Sequence, residues 1–161
     1  MITMSNGELA KEFFRKAYNF HICGKNLEAI INYKISIQLQ PSPLSYTHLA
    51  EVISKEGKYT EAINYCKLAI ELDRDFGIAY NNMGYYLMKL GDIENATIWL
   101  SKAIRLSSND EKFKAHYYLG KIYTKKCEWK KAISSFQDSL RIKPDFQPAK
   151  NEFYKIIASM N

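Results

Sequence analysis

The sequence has few glycines and prolines, and it contains no long apolar run. It holds only seven glycines and four prolines, and most of them are expected at the boundaries between helical segments. No stretch approaches the roughly 18 apolar residues that a membrane-spanning helix needs, so no membrane span is expected. The first eight residues also lack the basic-then-apolar order of a secretory signal. We therefore expect a cytoplasmic protein.

Cysteine is scarce as well, with three residues that are far apart in the chain: Cys23, Cys66 and Cys127. A cysteine-based metal site shows close pairs, and a secreted disulfide framework shows an even count. Neither pattern is present. We expect Cys66 to be a core residue, because free cysteine is often buried.

Signatures of catalysis and of cofactor binding are missing. The sequence has no glycine-rich phosphate loop, no His-Glu-x-x-His pattern and no cysteine pair. His21, His48 and His116 lie on different predicted helices, and no neighbour in sequence completes a metal site. We therefore predict no catalytic residues, no metal and no cofactor, and hence a protein that is not an enzyme.

One segment is repeated four times, most clearly from Gly57 to Asp73. It begins with a glycine that ends one helix and continues with small residues set in an apolar stripe at helical spacing. Its first alanine recurs at intervals of 33, 34 and 36 residues, at Ala29, Ala62, Ala96 and Ala132. Periods in this range predict a helical solenoid.

Each repeat predicts two antiparallel helices, and the protein is therefore expected to be all-α. The predicted repeats and the capping helix that follows them cover about residues 10–42, 43–76, 77–110, 113–146 and 147–160. Two additional residues before the fourth repeat, within Ser107–Lys112, predict a slightly longer surface turn. Lys16 near one end and the polar face of the last helix favour capped ends, so residues 1–161 are expected to form one complete domain.

Small residues on the first helix of each pair allow the second helix to approach closely. They lie at Ala17, Ala50, Gly84 and Gly120. We expect the alanines of the following helix to pack against them.

These features resemble the tetratricopeptide repeat. That repeat has an aromatic residue, then Leu-Gly and Tyr on its first helix, and two alanines flanking an aromatic on its second. The fourth copy carries much of this pattern, at Leu119, Gly120, Tyr123, Ala132, Phe136 and Pro144. Departures are local: Arg74 and Ser108 replace a closing proline, and Cys127 replaces a turn glycine.

The resemblance covers nearly the whole chain, and it implies a right-handed superhelix whose concave face is lined by the first helices. Such proteins bind extended or helical peptides on that face. First-helix residues off the packing stripe are the candidate peptide contacts, with Asn151 and Lys155 following on the cap. They are Asn81, Asn82, Tyr85, Met88, Lys89, Lys114, Tyr117, Tyr118, Lys121 and Lys125.

The chemistry of these candidates suits a peptide. Asparagine can pair with an extended backbone, tyrosine offers rigid contact area and lysine can meet a carboxylate. Some family members hold the C-terminal carboxylate of a chaperone tail with a fixed set of Lys, Asn and Arg. Asn82 and Lys114 match parts of that set. Thr47, Glu51 and Tyr118 stand where further basic or amide residues would be needed, so this particular activity is not expected.

Charge is uneven along the chain, since residues 113–161 hold ten basic and four acidic side chains and the net charge is +6. A basic end attracts acidic partners. The favoured function is therefore a protein-interaction module whose peptide ligand carries acidic residues. One alternative is RNA or another polyanion, bound by Lys121, Lys125, Lys126, Lys130 and Lys131. Another is self-association through the end helices. These lysines fall on a first helix, a turn and a second helix with no arginine among them, which favours a solvated face over an RNA site.

Overall fold

A computed structural model describes residues 4–106 and 109–160, in which every regular element is an α-helix. The helices are α1 (Asn6–Ile22), α2 (Asn26–Leu39), α3 (Pro43–Lys55), α4 (Tyr59–Leu72), α5 (Gly77–Lys89), α6 (Ile93–Arg105), α7 (Lys112–Lys125), α8 (Trp129–Ile142) and α9 (Gln147–Ser159). The all-α prediction is confirmed. None of these helices is long and apolar enough to cross a membrane. Ser108, which replaces the closing proline of the repeat pattern, lies outside the described residues.

Side-chain caps begin several of the helices. The Ser5 hydroxyl accepts a hydrogen bond from the Glu8 amide, and the Glu8 carboxylate accepts one from the Ser5 amide at 2.8 Å. This reciprocal arrangement satisfies two backbone donors that have no partner within the helix. The Ser42 hydroxyl caps α3 by accepting a hydrogen bond from the Ser45 amide at 3.1 Å, and Pro43 follows it at the first helical position. Proline fits there because the missing N–H has no helical partner to lose.

The turn inside each helix pair requires a left-handed residue. Gly24, Gly57 and Gly91 adopt φ angles of 73°, 76° and 84°. In the fourth pair Cys127 takes this place with a φ angle of 58°. An L-residue with a Cβ pays a steric cost in this conformation, which glycine avoids.

The core follows the small residues of the repeat. Ala29, Ala62, Ala96 and Ala132 are each 0% exposed. A Cβ placed on Gly120 would lie 2.5 Å from Phe136 Cε1. The helices of each pair therefore meet at these positions, as the sequence predicts. At Gly120 the neighbour is the Phe136 ring, and at Gly84 it is the Leu100 side chain with the Ala96 carbonyl. Cys66 is also 0% exposed, which confirms its assignment to the core.

Buried serines join the two helices of the first and fourth repeats. The Ser36 hydroxyl donates to the Ala10 carbonyl, and the Ser139 hydroxyl donates to the Phe113 carbonyl, each at 2.8 Å. The middle repeats carry alanine at this position. A buried hydroxyl needs such a partner, because an unsatisfied one costs about 1–3 kcal/mol.

The described part of the turn before α7 contains one buried residue, Asn109, beside the exposed Asp110. Asn109 is 3% exposed, and its side-chain amide donates to the Ala103 carbonyl at 2.9 Å. Its Oδ1 also accepts from the Glu111 amide. The Asn109 side chain thus anchors this turn to the end of α6, while the next residue, Asp110, is exposed.

Candidate functional site

The odd-numbered helices form a continuous layer. Each of α1, α3 and α5 contacts the next odd-numbered helix directly. The described parts of α2, α4, α6 and α8 make no comparably extensive contact with one another, and instead pack on the odd-numbered helices on either side of them. The odd-numbered layer is therefore the inside of the solenoid. We use the name inner face for the side of this layer that points away from the even-numbered helices. It is formed by α1, α3, α5, α7 and α9.

Four equivalent contacts join successive inner helices. In the first three, a residue one position after the small crossing residue meets a residue two positions before the crossing residue of the next repeat. The fourth joins the residue after Gly120 to α9 at the same sequence spacing. The partners are 30 to 33 residues apart in sequence. They are Tyr18–His48 (ring centroids 5.7 Å apart), Glu51–Asn82 (Oε1 to Nδ2, 3.2 Å), Tyr85–Tyr118 (centroids 5.0 Å) and Lys121–Glu152 (Nζ to Oε1, 3.5 Å). We call this series the inner ladder.

The inner ladder includes four of the ten predicted peptide contacts: Asn82, Tyr85, Tyr118 and Lys121. Each therefore already has a protein partner on the neighbouring repeat. Burial, followed by the neighbouring Tyr85, raises the pKa of Tyr118, so its hydroxyl stays neutral. These four side chains connect neighbouring repeats, and only their solvent-exposed atoms are available to a ligand.

Asn81 does not face a ligand, and its assignment as a peptide contact is wrong. Its side chain is 0% exposed. Its amide nitrogen donates to the Glu111 carbonyl at 3.1 Å and to Asn109 Oδ1 at 3.3 Å, while the Asn109 amide donates back to Asn81 Oδ1 at 3.3 Å. Asn81 on α5 thus helps to fix the turn that leads into α7.

Tyr117 and Lys114 also have partners within the chain. The Tyr117 ring lies 5.3 Å from the Phe146 ring and 6.0 Å from the Phe136 ring, and the residue is half-buried. Lys114 Nζ lies 2.7 Å from Glu111 Oε1. Tyr117 therefore contributes mainly to the packing of α7 against α8 and the start of α9.

Two of the three remaining candidates, Met88 and Lys125, line a pocket between α5, α7 and α9, beside the start of α6. The pocket has a volume of about 400 Å³. Its residues are Met88, Ile93, Lys121, Ile122, Thr124, Lys125, Glu152 and Lys155. Three of them, Met88, Lys121 and Lys125, were predicted as peptide contacts, and the structure brings them together here.

The pocket is apolar at its base and positive at its rim. Met88 is half-buried and packs on the core, whereas Lys121, Lys125 and Lys155 are exposed. Lys121 pairs with Glu152. Within residues 4–106 and 109–160, neither Lys125 nor Lys155 forms an ion pair. Lys89 lies outside the pocket, with its Nζ 5.5 Å from the centre of the Tyr85 ring.

Sequence reasoning missed Glu152 as part of this site. Glu152 was expected only to face water on the last helix. Its distance of 31 residues from Lys121 matches the spacing of the other ladder pairs. That spacing is the signal that could have identified it.

Two of the three histidines have neighbours in space that the sequence spacing did not indicate. His21 on α1 and His48 and Glu51 on α3 each offer one ligand atom, and these atoms lie within 4.8 Å of one another. His116 is separate and lies beside Asp138, with 3.9 Å between His116 Nδ1 and Asp138 Oδ2. Sequence spacing could not find the cluster, because its members come from two helices that the fold brings together.

Both alternatives to a peptide ligand remain predictions. In the basic C-terminal end, Lys131 pairs with Glu128 at 2.5 Å and Lys121 pairs with Glu152. These pairs reduce the charge available to a polyanion. For self-association, α9 carries Tyr154 with 62% of its surface exposed.

Comparison with known proteins agrees with this architecture. Two family models, both described as the tetratricopeptide repeat, match residues 44–76 and 78–110 in one case and residues 113–146 in the other. Together these matches cover more than half of the chain. The chain therefore belongs to the tetratricopeptide repeat family, whose members generally act as scaffolds for interactions between proteins.

Several known proteins are similar to the chain. Small glutamine-rich tetratricopeptide repeat-containing protein 2 of Mycosarcoma maydis is 30% identical over 69% of this chain and 31% of the relative. The structure of Pseudomonas aeruginosa pilF matches with a TM-score of 0.86 at 18% identity, covering 96% of this chain and 70% of the other. The first repeat domain of Spaghetti (RPAP3), bound to the HSP90 peptide SRMEEVD, matches with a TM-score of 0.70 at 26% identity, covering 75% and 98%. This chain spans between 16% and 31% of the length of the curated relatives it matches.

Proposed function

We propose that the chain is a non-catalytic module that binds an acidic peptide segment of a partner protein. The segment lies along the inner face and is anchored in the pocket between α5, α7 and α9. The observation that carries this proposal is the combination of an apolar base at Met88 and Ile122 with exposed lysines at the rim.

The pocket suits a particular arrangement of side chains in the ligand. An apolar side chain entering the pocket would contact Met88 and Ile122, and its burial is favourable by about 25 cal/mol per Å². A carboxylate next to it would meet Lys125 and Lys155. Charge complementarity of this kind increases association rates and selects against basic partners. The expected ligand therefore carries an apolar residue beside an Asp or Glu.

The peptide bound to Spaghetti (RPAP3), SRMEEVD, has this composition, with acidic residues beside methionine and valine. In the present chain, two residues at or beside the positions of the carboxylate-holding set already make contacts within the protein. Asn82 donates to Glu51, which brings a carboxylate to the middle of the inner face. Thr47 is 1% exposed and bonds to carbonyl groups of its own helix. We therefore propose that the peptide is anchored in the α5–α7–α9 pocket. We do not propose that this chain has the set of Lys, Asn and Arg residues that holds a C-terminal carboxylate.

The test is a selection from a random library of 12-residue peptides displayed on phage, followed by affinity measurement with a labelled peptide from the enriched set. We expect enrichment of an apolar residue adjacent to Asp or Glu, with a Kd in the micromolar range, about −8 kcal/mol. The variant Lys125→Glu/Lys155→Glu should weaken binding at least tenfold, about 1.4 kcal/mol. Tyr85 and Tyr117 are less suitable to replace, because both are packed against neighbouring rings.

The matched control is Lys34→Glu/Lys67→Glu, which makes the same change of charge at exposed sites on α2 and α4. It should leave the affinity within twofold. Equal loss in both variants would show that net charge alone attracts the peptide. A single-stranded oligouridine is tested in parallel. Steeply salt-dependent binding of that RNA, with no acidic peptide enriched, would contradict the proposal and favour the polyanion alternative.

A further inference from the structure

Three potential metal ligands converge at the end of the inner face opposite the pocket. His21 comes from α1, and His48 and Glu51 come from α3 one turn apart. His48 Nδ1 lies 3.2 Å from Glu51 Oε2. One ligand atom from each of the three residues lies within 4.8 Å of the other two. The fold thus assembles two imidazoles and a carboxylate from the first two repeats.

We propose that His21, His48 and Glu51 bind a divalent transition metal, with zinc as the reference ion. Two histidines and one glutamate form a donor set that zinc accepts, with a fourth position left to water or a ligand. Tetrahedral ligands at about 2.0–2.1 Å from zinc lie roughly 3.3 Å from one another. The His48–Glu51 separation of 3.2 Å is close to that value, and no separation in the cluster exceeds 4.8 Å.

A second observation comes from His21. Its Nδ1 atom is buried and has no hydrogen-bond partner among the described residues. A buried polar atom without a partner is costly, and such an atom calls for a specific explanation.

The surrounding residues hold the ligands in place. Tyr33 is 0% exposed and stacks on His48, with ring centroids 5.9 Å apart and planes at 6°. Asn82 donates to Glu51 Oε1, which leaves Oε2 directed toward His48. Outer contacts of this kind orient metal ligands and increase affinity. The side chains of His48 and Glu51 are 21% and 31% exposed, so an ion can reach them from solvent.

The metal would join α1 to α3 across the boundary between the first two repeats. It would reinforce the Tyr18–His48 contact of the inner ladder at that boundary. It would also present a Lewis acid on the inner face. This site is independent of the proposed peptide anchor, which lies on α5, α7 and α9.

The test uses the full chain without a histidine tag, stripped with chelator, in a Cys23→Ser/Cys127→Ser background that removes the exposed thiols. Zinc chloride is titrated by isothermal calorimetry near pH 7.5. We expect one zinc ion per chain and no heat from magnesium chloride, because magnesium prefers oxygen ligands. His21→Gln, His48→Gln and Glu51→Gln should each weaken zinc binding at least tenfold.

Two variants serve as controls for indirect effects. His116→Gln removes the histidine outside the cluster, and Asn82→Ser removes the outer contact to Glu51 while keeping every ligand. The first should leave zinc affinity unchanged, and the second should reduce it less than loss of a ligand does. The melting temperature should rise with zinc in the parent protein and not in His48→Gln. No zinc binding by the parent, or equal binding by parent and His48→Gln, would overturn the proposal.

Discussion

The side-chain amide of Asn82 on α5 donates a hydrogen bond of 3.2 Å to Glu51 Oε1 on α3, across the boundary between the second and third repeats. Asn82 is two residues before the Gly84 crossing point, and Glu51 is one residue after the Ala50 crossing point. The equivalent positions carry two aromatic pairs and one ion pair at the other boundaries. Different chemistry therefore joins neighbouring repeats at one geometric position.

Replacing both partners of this pair should reveal a coupling energy. Hydrogen bonds to charged groups contribute about 1.5–3 kcal/mol when well shielded, and partial exposure here reduces that to about 1 kcal/mol. The measurement is urea unfolding of Glu51→Ala, Asn82→Ala and the double variant, with chelator present. Additive losses of unfolding free energy would show that the contact does not stabilise the boundary.

Stability should depend on the charge of Glu51. Burial alone would raise the pKa of Glu51, but His48, Asn82 and Lys114 together lower it below the ordinary value of 4.5. A carboxylate with a lowered pKa stabilises the folded state above that ordinary value, and the contribution is lost as pH falls through the folded pKa. The difference in unfolding free energy between the parent and Glu51→Gln should thus shrink as pH falls below 4.5.

The contrast for this experiment is His116→Gln. Burial is the main cause that lowers the pKa of His116 from 6.5. The parent therefore loses stability as pH falls below 6.5, and the His116→Gln variant does not. The variant should become more stable relative to the parent in this pH range, which is higher than the range in which Glu51 titrates. Unfolding curves at about pH 7, 5.5 and 3.5 separate the two windows. A gap between the parent and Glu51→Gln that stays constant with pH would contradict the assignment.

The close approach of α7 to α8 predicts that Gly120→Ala is destabilising. The added Cβ would lie 2.5 Å from Phe136 Cε1 and 2.7 Å from Cδ1, and Phe136 is 0% exposed. Overpacking of this kind costs about 1–3 kcal/mol. Thermal and urea unfolding report the loss.

Gly7→Ala is the matched control for Gly120→Ala. Gly7 also lies in a helix, but its added Cβ would meet only the end of the exposed Gln40 side chain, at 2.9 Å from Oε1. That side chain can move, and alanine favours the helix by up to about 1 kcal/mol. A comparable loss in both variants would point to backbone effects and not to contact with the Phe136 ring.

Cys127→Gly should stabilise the protein. Cys127 occupies the left-handed turn position at which the other three repeats carry glycine. Relief of this strain is worth about 1 kcal/mol. Cys23→Gly provides the contrast, since Cys23 has a φ angle of −81° and gains nothing from glycine. The melting temperature should rise for the first variant and fall slightly for the second.

Asn81→Ala should destabilise the chain by about 1–3 kcal/mol, because Asn109 and the Glu111 carbonyl lose a buried partner. Denaturant unfolding measures this loss. Peptide affinity measured well below the melting temperature should change little, since Asn81 has no exposed surface. A large loss of peptide affinity in a fully folded variant would show that Asn81 does contribute to the binding face.

The sequence predicts the helices well because the same periodic pattern occurs four times. Ala29, Ala62, Ala96 and Ala132 recur at a regular spacing, and each is a buried contact in the structure. Local sequence also explains the start of the first helix, because serine is a favoured capping residue and Ser5 caps α1.

The binding face is harder to predict, because it depends on how one repeat sits on the next. A helical wheel assigns Asn81 and Asn82 to neighbouring positions of similar exposure. In the structure Asn81 points into the turn around Asn109, whereas Asn82 reaches Glu51. The convergence of His21 with His48 depends on the same inter-repeat register, which no single helix encodes.

The inner ladder also sets how the solenoid resists bending. Its contacts lie on the inside of the curve, so straightening the array lengthens them and tighter winding compresses them. Salt weakens exposed ion pairs and has little effect on ring packing. The elastic stiffness of the solenoid is therefore uneven along its length. The boundary held by Lys121 and Glu152 softens with ionic strength, while the aromatic boundary beside it stays stiff.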